Sequence, residues 1–183
     1  MIWSLFYTAL PIAALFATFA GAAAWPRARS RTISSPDGLL RAVIVPVGVR
    51  HGFERMESRV EIHERDGETL CSRDFSSRNG RDGLGVVRAQ WSADSSFFIF
   101  SMAPSGKSVS DHWPSFAYGR YSNNVRELEH DGSIIVTPKF ALIPPHSVRT
   151  VTCPHSPRNR KRRFEIIVDL EQLFRRPWPV SAD

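Results

Sequence analysis

A turn motif occurs twice at a fixed interval, and that interval restricts the fold more than any other feature of the chain. Ser35-Pro36-Asp37-Gly38 opens one apolar run, and Trp91-Ser92-Ala93-Asp94-Ser95 opens another, with Ser92 standing 57 residues after Ser35. Each run is followed by a second segment ending in Asp-Gly, at Asp66-Gly67 and at Asp131-Gly132. A turn recurring at constant offset from alternating apolar residues marks a repeated supersecondary unit. The expected architecture is all-β, built from two related antiparallel units.

The 183-residue chain is 42% hydrophobic and 11% aromatic, enough for a packed core and contrary to intrinsic disorder. Its formal charge of +6 falls wholly after residue 26, because residues 1–26 hold no Asp, Glu, Lys or Arg. The rest of the chain is therefore basic, which favours anionic neighbours. Residues 2–25 form an uncharged apolar run, long enough at ~1.5 Å per residue to cross ~30 Å of hydrocarbon as a helix. Gly21-Ala22-Ala23-Ala24 supplies the small residues of a signal-peptidase site, with cleavage after Ala24. Arg27, Arg29 and Arg31 follow at once, and by the positive-inside tendency that pattern suits an uncleaved anchor whose downstream side faces the cytoplasm. Export to the cell envelope, cleaved or anchored, is the leading expectation; a cytoplasm-facing anchor is the alternative.

Downstream, residues 39–47 read as a strand covered on both faces, since the apolar run is nearly continuous. Residues 58–64 alternate cleanly and pass through Asp66-Gly67 into 69–75, the pattern of a β-hairpin. Phe97-Phe98-Ile99-Phe100 is the most apolar stretch after the N-terminal run and is expected at the centre of the core. Strands follow around 116–121 and 125–129, with Asp131-Gly132 as the next hairpin tip leading into 133–137. Pro138, Pro144, Pro145, Pro154 and Pro157 predict irregular chain with short strands at 141–143 and 148–152, before a strand at 164–168 and a helical turn at 170–174.

These turns and strands resemble a pair of WD-type β-propeller repeats of the S-P-D-G kind, in which that turn joins two strands of a four-stranded blade. The chemistry fits the turn, since Pro presets the first dihedral, Asp hydrogen-bonds its own backbone and Gly takes the positive φ. The second copy has Ala93 and Ser95 in place of Pro and Gly. The likeness covers about half of the chain, and a closed propeller uses at least about four blades. The resemblance therefore implies two antiparallel blade-like sheets, as a partial propeller or a sandwich-like pair, preceded by an N-terminal hydrophobic helix. Residues 1–26 are the signal peptide or anchor, 32–156 the blade-like domain, and 157–183 the basic run, final strand and tail completing it.

Catalytic signatures are sparse. Ala103-Pro104-Ser105-Gly106-Lys107-Ser108 ends like a phosphate-binding loop but has Ser101 where that loop needs Gly. No G-x-S-x-G occurs, and the six histidines show no H-x-H or H-E-x-x-H spacing. No catalytic residue, metal or cofactor is therefore expected. Residues 76–85 and 103–114 read as long loops carrying charge, His and Trp, and Arg81, Asp82, His112 and Trp113 are the candidate binding residues, because loops on a rigid sheet can converge on a ligand. Arg158, Arg160, Lys161, Arg162 and Arg163 form the densest charge; without interleaved aromatics they suit an anionic membrane surface better than nucleic acid. Cys71 and Cys153 are a disulfide candidate in an oxidising compartment and two small buried thiols otherwise.

The functional expectation is an envelope-associated, non-enzymatic interaction module. Its partners would be the membrane, through the N-terminal segment, and a protein or anionic ligand, with oligomerisation allowed and nucleic acid disfavoured. The alternatives are a hydrolase or glycan-processing enzyme with a loop-borne site, and a structural subunit of a larger assembly.

Overall fold

The structure, a computed structural model, describes residues 29–48, 56–80, 82–105, 112–129, 133–154 and 162–175. The N-terminal helix expected within residues 1–26 lies outside these. Four strands, β1 (Arg31–Ser34), β2 (Leu40–Val47), β3 (Glu57–Glu64) and β4 (Thr69–Asp74), form an antiparallel meander in that order. A second meander follows, of β5 (Leu84–Trp91), β6 (Phe97–Pro104), β7 (Ser115–Gly119) and β8 (Asn124–Glu127). The third sheet has three strands, β9 (Ser133–Ile143), β10 (Ser147–Pro154) and β11 (Phe164–Asp169), and leads directly into a short helix, α1 (Leu170–Arg175).

The repeat is physical as well as textual. Ser35 and Ser92 each close their turn with an equivalent backbone bond: Ser35 N–H to the Leu40 carbonyl (2.9 Å) and Ser92 N–H to the Phe97 carbonyl (2.8 Å). Their hydroxyls accept from the same two positions, Leu40 N–H and Phe97 N–H, both at 2.9 Å. Asp37 and Asp94 cap the N–H two residues on, as Asx turns do. Gly38 and Ser95 then take the same left-handed conformation, φ 70° and 64°. Serine tolerates it at a cost that glycine avoids, and its hydroxyl accepts the Asp37 N–H at 3.0 Å. The residue that departs from the motif thereby ties the first turn to the second.

Each sheet buries one face against the next. Leu40, Ala42, Val60 and Ile62 of the first sheet pack with Trp91, Phe98, Phe100, Met102 and Tyr118 of the second. The opposite face of the second sheet gives Phe97, Ile99 and Ala117 to a separate cluster with Leu128, Ile135, Phe140, Val148, Val168 and Leu170. Strand β6 thus serves both clusters by alternation, which is why Phe97 to Phe100 is apolar without interruption. Hydrogen bonds and ion pairs knit the seams: Trp91 Nε1 donates to the Ile33 carbonyl (2.9 Å), Arg88 to the Phe140 carbonyl (3.1 Å), and Arg120 pairs with Asp37.

The sheets number three among the described residues, one more than the repeat implies, and they form no closed barrel or ring. The third lacks the Ser-Asp turn and is joined instead through Pro144-Pro145-His146, so the motif does not reveal it. Asp131-Gly132 lies outside the described residues, but the strands before and after it, β8 and β9, belong to different sheets and do not pair as the expected hairpin. The counterpart of the Asp66-Gly67 turn is the β7–β8 turn, where Asn123 takes the positive φ (47°) as Gly67 does (105°). Strand β9 also runs unbroken past Pro138, because its pairing with β10 shifts register between Thr150 and Thr152 and leaves the proline in the bulge.

Two predictions follow from this packing. Phe100, fully buried between aromatic neighbours, is expected to cost ~3–5 kcal/mol on Phe100→Ala, against less than ~0.5 kcal/mol for the exposed Tyr121→Ala, as read from urea unfolding. The second concerns His146, which bridges Asp94 (2.8 Å) and Glu171 across the seam between the second and third sheets. Burial alone would lower its pKa, but those two carboxylates outweigh it and raise the folded value. A raised folded pKa gives stability that is complete below about 6.5 and lost as pH rises through the folded value. The gap in unfolding free energy between wild type and His146→Asn, up to ~1 kcal/mol at pH 6, should shrink toward pH 9.

Candidate functional site

Antiparallel alternation sends the two loops singled out in the sequence, β4–β5 and β6–β7, to the same end of the sheets. Glu57, at the start of β3, holds them there. Its side chain is buried, and it accepts from Ser77 N–H (2.7 Å), Ser77 Oγ (2.6 Å), Gly83 N–H (2.7 Å) and Ser105 Oγ (3.0 Å). Burial pushes the carboxyl pKa up, and these four donors outweigh it and hold it below the ordinary glutamate value. Ser105 N–H also donates to the Gly83 carbonyl (2.9 Å), joining the loops directly. A Cβ at Gly83 would meet the Glu57 carboxyl carbon at 2.5 Å and the Phe75 carbonyl oxygen at 2.6 Å, so the loop closes only over glycine.

Beside this platform, His112 stands where the β6–β7 loop returns to the sheet, and its Nε2 bonds Glu129. Glu127 lies on the same side, since Glu127 and Glu129 alternate with Leu128, whose side chain enters the second core. One ligand atom from each of His112, Glu127 and Glu129 falls within 4.8 Å of the others. The hydrogen bond that His112 donates to Glu129 raises the His112 pKa against the opposing effect of burial. Glu127 is pushed up first by partial burial of its carboxyl and then by the Glu129 charge.

The other end of the sheets carries two clefts related by the repeat. Leu39, Leu40, Glu64 and Arg65 line a cleft of about 570 Å³, closed by Arg120 of the second sheet. Ser96, Phe97, Tyr121 and Ser122, each 57 positions later, line one of about 390 Å³, closed by His146, Glu171 and Phe174 from the third sheet and α1. Both are seams where a turn of one sheet meets the next sheet.

Of the four binding candidates, Arg81 lies outside the described residues. Asp82 is exposed in the β4–β5 loop, its N–H donating to Ser77 Oγ (3.1 Å) and its carboxylate accepting from Asn79. His112 is half-buried in the cluster with the two glutamates. Trp113 packs partly buried against the second core and donates its backbone N–H to the Ile135 carbonyl (2.8 Å). The indole is therefore a packing group as well as a loop residue. Arg162 and Arg163 are exposed just before β11, while Arg158, Arg160 and Lys161 lie outside the described residues. Cys71 and Cys153 stand as free thiols in different sheets and different apolar clusters. Glu57, Glu127 and Glu129 are the residues that sequence reasoning passed over as site groups. Glu127-Leu128-Glu129, two acids flanking a leucine at strand spacing, was the available signal for the latter pair; Glu57 had none, because its partners lie 20–48 residues away.

No protein-family model matches the chain, and no curated protein matches it. Solved structures with some likeness include a puromycin hydrolase complexed with PGG, at 15% identity and TM-score 0.43, where 78% of this chain matches only 20% of that one. The chain thus spans about one fifth of that protein's length. Another is a putative conserved lipoprotein from Clostridium novyi NT, at 11% identity and TM-score 0.46, covering 79% of this chain and 88% of that one. At such identities and scores, neither likeness bears on activity, ligand or location.

Proposed function

We propose that the protein is an envelope-associated, non-enzymatic interaction module that recognises a protein partner or anionic ligand through the end of the sheets carrying the β4–β5 and β6–β7 loops. The observation that carries this reading is the Glu57 clamp: one buried carboxylate holds Ser77, Gly83 and Ser105 together, so the β4–β5 loop and the residue following β6 form a single preorganised surface. Preorganisation matters because a loop ordered before binding loses less entropy on binding. Placement at the envelope rests on the uncharged run of residues 2–25; among the described residues no helix is long and apolar enough to cross a membrane. The exposed Arg162 and Arg163 add affinity for an anionic surface. A hydrolase with a loop-borne site is the second reading, favoured by the His112–Glu127–Glu129 cluster alone.

A photo-crosslinking residue at Asp82 or Arg78 of the full chain, produced in cells, should give a discrete adduct, whereas the same residue at Arg65 on the opposite end should give none. Adducts only from Arg65, or from no position, would overturn the assignment of the surface. For location, a reporter active only outside the cytoplasm should be active when fused after Asp183. Activity from a cytoplasmic reporter at that site, with silence from the other, would place the domain on the inner side.

A further inference from the structure

We propose that His112, Glu127 and Glu129 bind one first-row divalent cation, with Zn²⁺ the best-matched ion. The donor set carries the assignment: one imidazole nitrogen and two carboxylates, with a ligand atom of each inside 4.8 Å. Imidazole suits Zn²⁺ and its first-row neighbours, and three protein ligands leave a fourth position open, as zinc sites that bind an exogenous ligand do. Donors around Zn²⁺ at ~2.1 Å stand ~3.4 Å apart, so the most separated ligand atoms need close by at most about 1.4 Å while the hydrogen-bonded His112–Glu129 pair opens to admit the ion. Glu127 is the most exposed of the three residues, so the adjustment falls on its side chain.

The backbone under the donors is already fixed. Leu128, between the two glutamates, is buried in the second core and donates its N–H to the Ser115 carbonyl (2.8 Å). Next to His112, the Trp113 backbone is tied to Ile135 (2.8 Å) and its ring packs on the same core. Electrostatics point the same way: two carboxylates share one imidazole, and the remaining cation acting on Glu127 is Arg73. A simple ion pair between His112 and Glu129 would not need Glu127 beside it. His146 provides the contrast, because its two carboxylates, Asp94 and Glu171, bond opposite ring nitrogens and cannot converge on one ion. Among the described residues, the His112 group alone brings three such ligands together.

This site goes beyond the recognition reading and does not depend on it, so metal alone is the probe. Detergent-solubilised full chain without a polyhistidine tag, stripped with chelator, should bind one equivalent of Zn²⁺ by calorimetry at neutral pH. Co²⁺ should give a visible d–d band. Glu127→Gln, at an exposed position and isosteric, should keep the fold by circular dichroism and weaken Zn²⁺ at least ~10-fold; His112→Ala should remove the Co²⁺ band, and His63→Ala in the first sheet should leave both signals unchanged. Absence of stoichiometric Zn²⁺ binding, or binding that survives both Glu127→Gln and His112→Ala, would overturn the proposal. Loss of the partner adduct with metal binding intact would instead count against the recognition reading only.

Discussion

Everything in this fold depends on β6 being buried on both faces. Phe98 and Phe100 close the cluster shared with the first sheet, and Phe97 and Ile99 close the one shared with the third. A strand of four consecutive large apolar residues is tolerated in water only if both pleat faces are covered. The flanking sheets are therefore required by the strand they cover, and neither meets the other through a shared cluster. The small residue Ala117 on β7 lets the third sheet approach, while Tyr118 fills the opposite side and reaches Asn123 through its hydroxyl (3.1 Å).

Polar groups then set the order of the sheets. Asp37 is engaged by Ser35 and Arg120, and Asp94 by Ser96 and His146. In both copies the acid that shapes a turn also faces a basic side chain delivered by the following sheet, Arg120 or His146. Hydrogen bonding within the turn and to His146 outweighs burial and holds the Asp94 pKa down to about 2. Single exposed pairs of this kind contribute little to stability; their role is orientation, since each fixes the angle at which one sheet meets the next. At the opposite end Glu57 does the same within a sheet boundary, spanning β3, the β4–β5 loop and the start of the β6–β7 loop.

How much of this was legible in the sequence follows from the range of each interaction. Alternation and Ser-Asp turns are local signals, and they located β2, β3, β4, β7 and β8 closely and placed the start of β6 at the centre of the core. The edge strand β1, Arg31 to Ser34, offers only Ile33 as an apolar residue, so no alternation marked it as a strand. The third sheet was obscured by prolines: Pro138 looks like a strand breaker until the bulge opposite Val151 accommodates it. Asp131-Gly132 was misplaced because a turn dipeptide does not say which strands it joins. The loops were found, but not what organises them: Glu57 sits alone in a polar stretch, and His112 meets Glu129 from 17 residues away. Trp113 signalled an aromatic recognition residue, whereas a tryptophan following a sheet-bound histidine had a second use, covering the core.

The forward direction of the seams has a consequence for synthesis. Asp37 waits for Arg120, 83 residues later, and the Ala42–Ile62 face waits for Phe98 and Phe100 to cover it. At ~5–20 residues per second, Arg120 is added roughly 4–17 s after Asp37. During that interval the first meander has its hydrogen-bonded ladder available but no apolar cover, which is the condition in which a nascent sheet recruits a chaperone or pairs with another chain. The first sheet is thus the earliest part of the domain to be made, and it cannot be completed until the second has followed it.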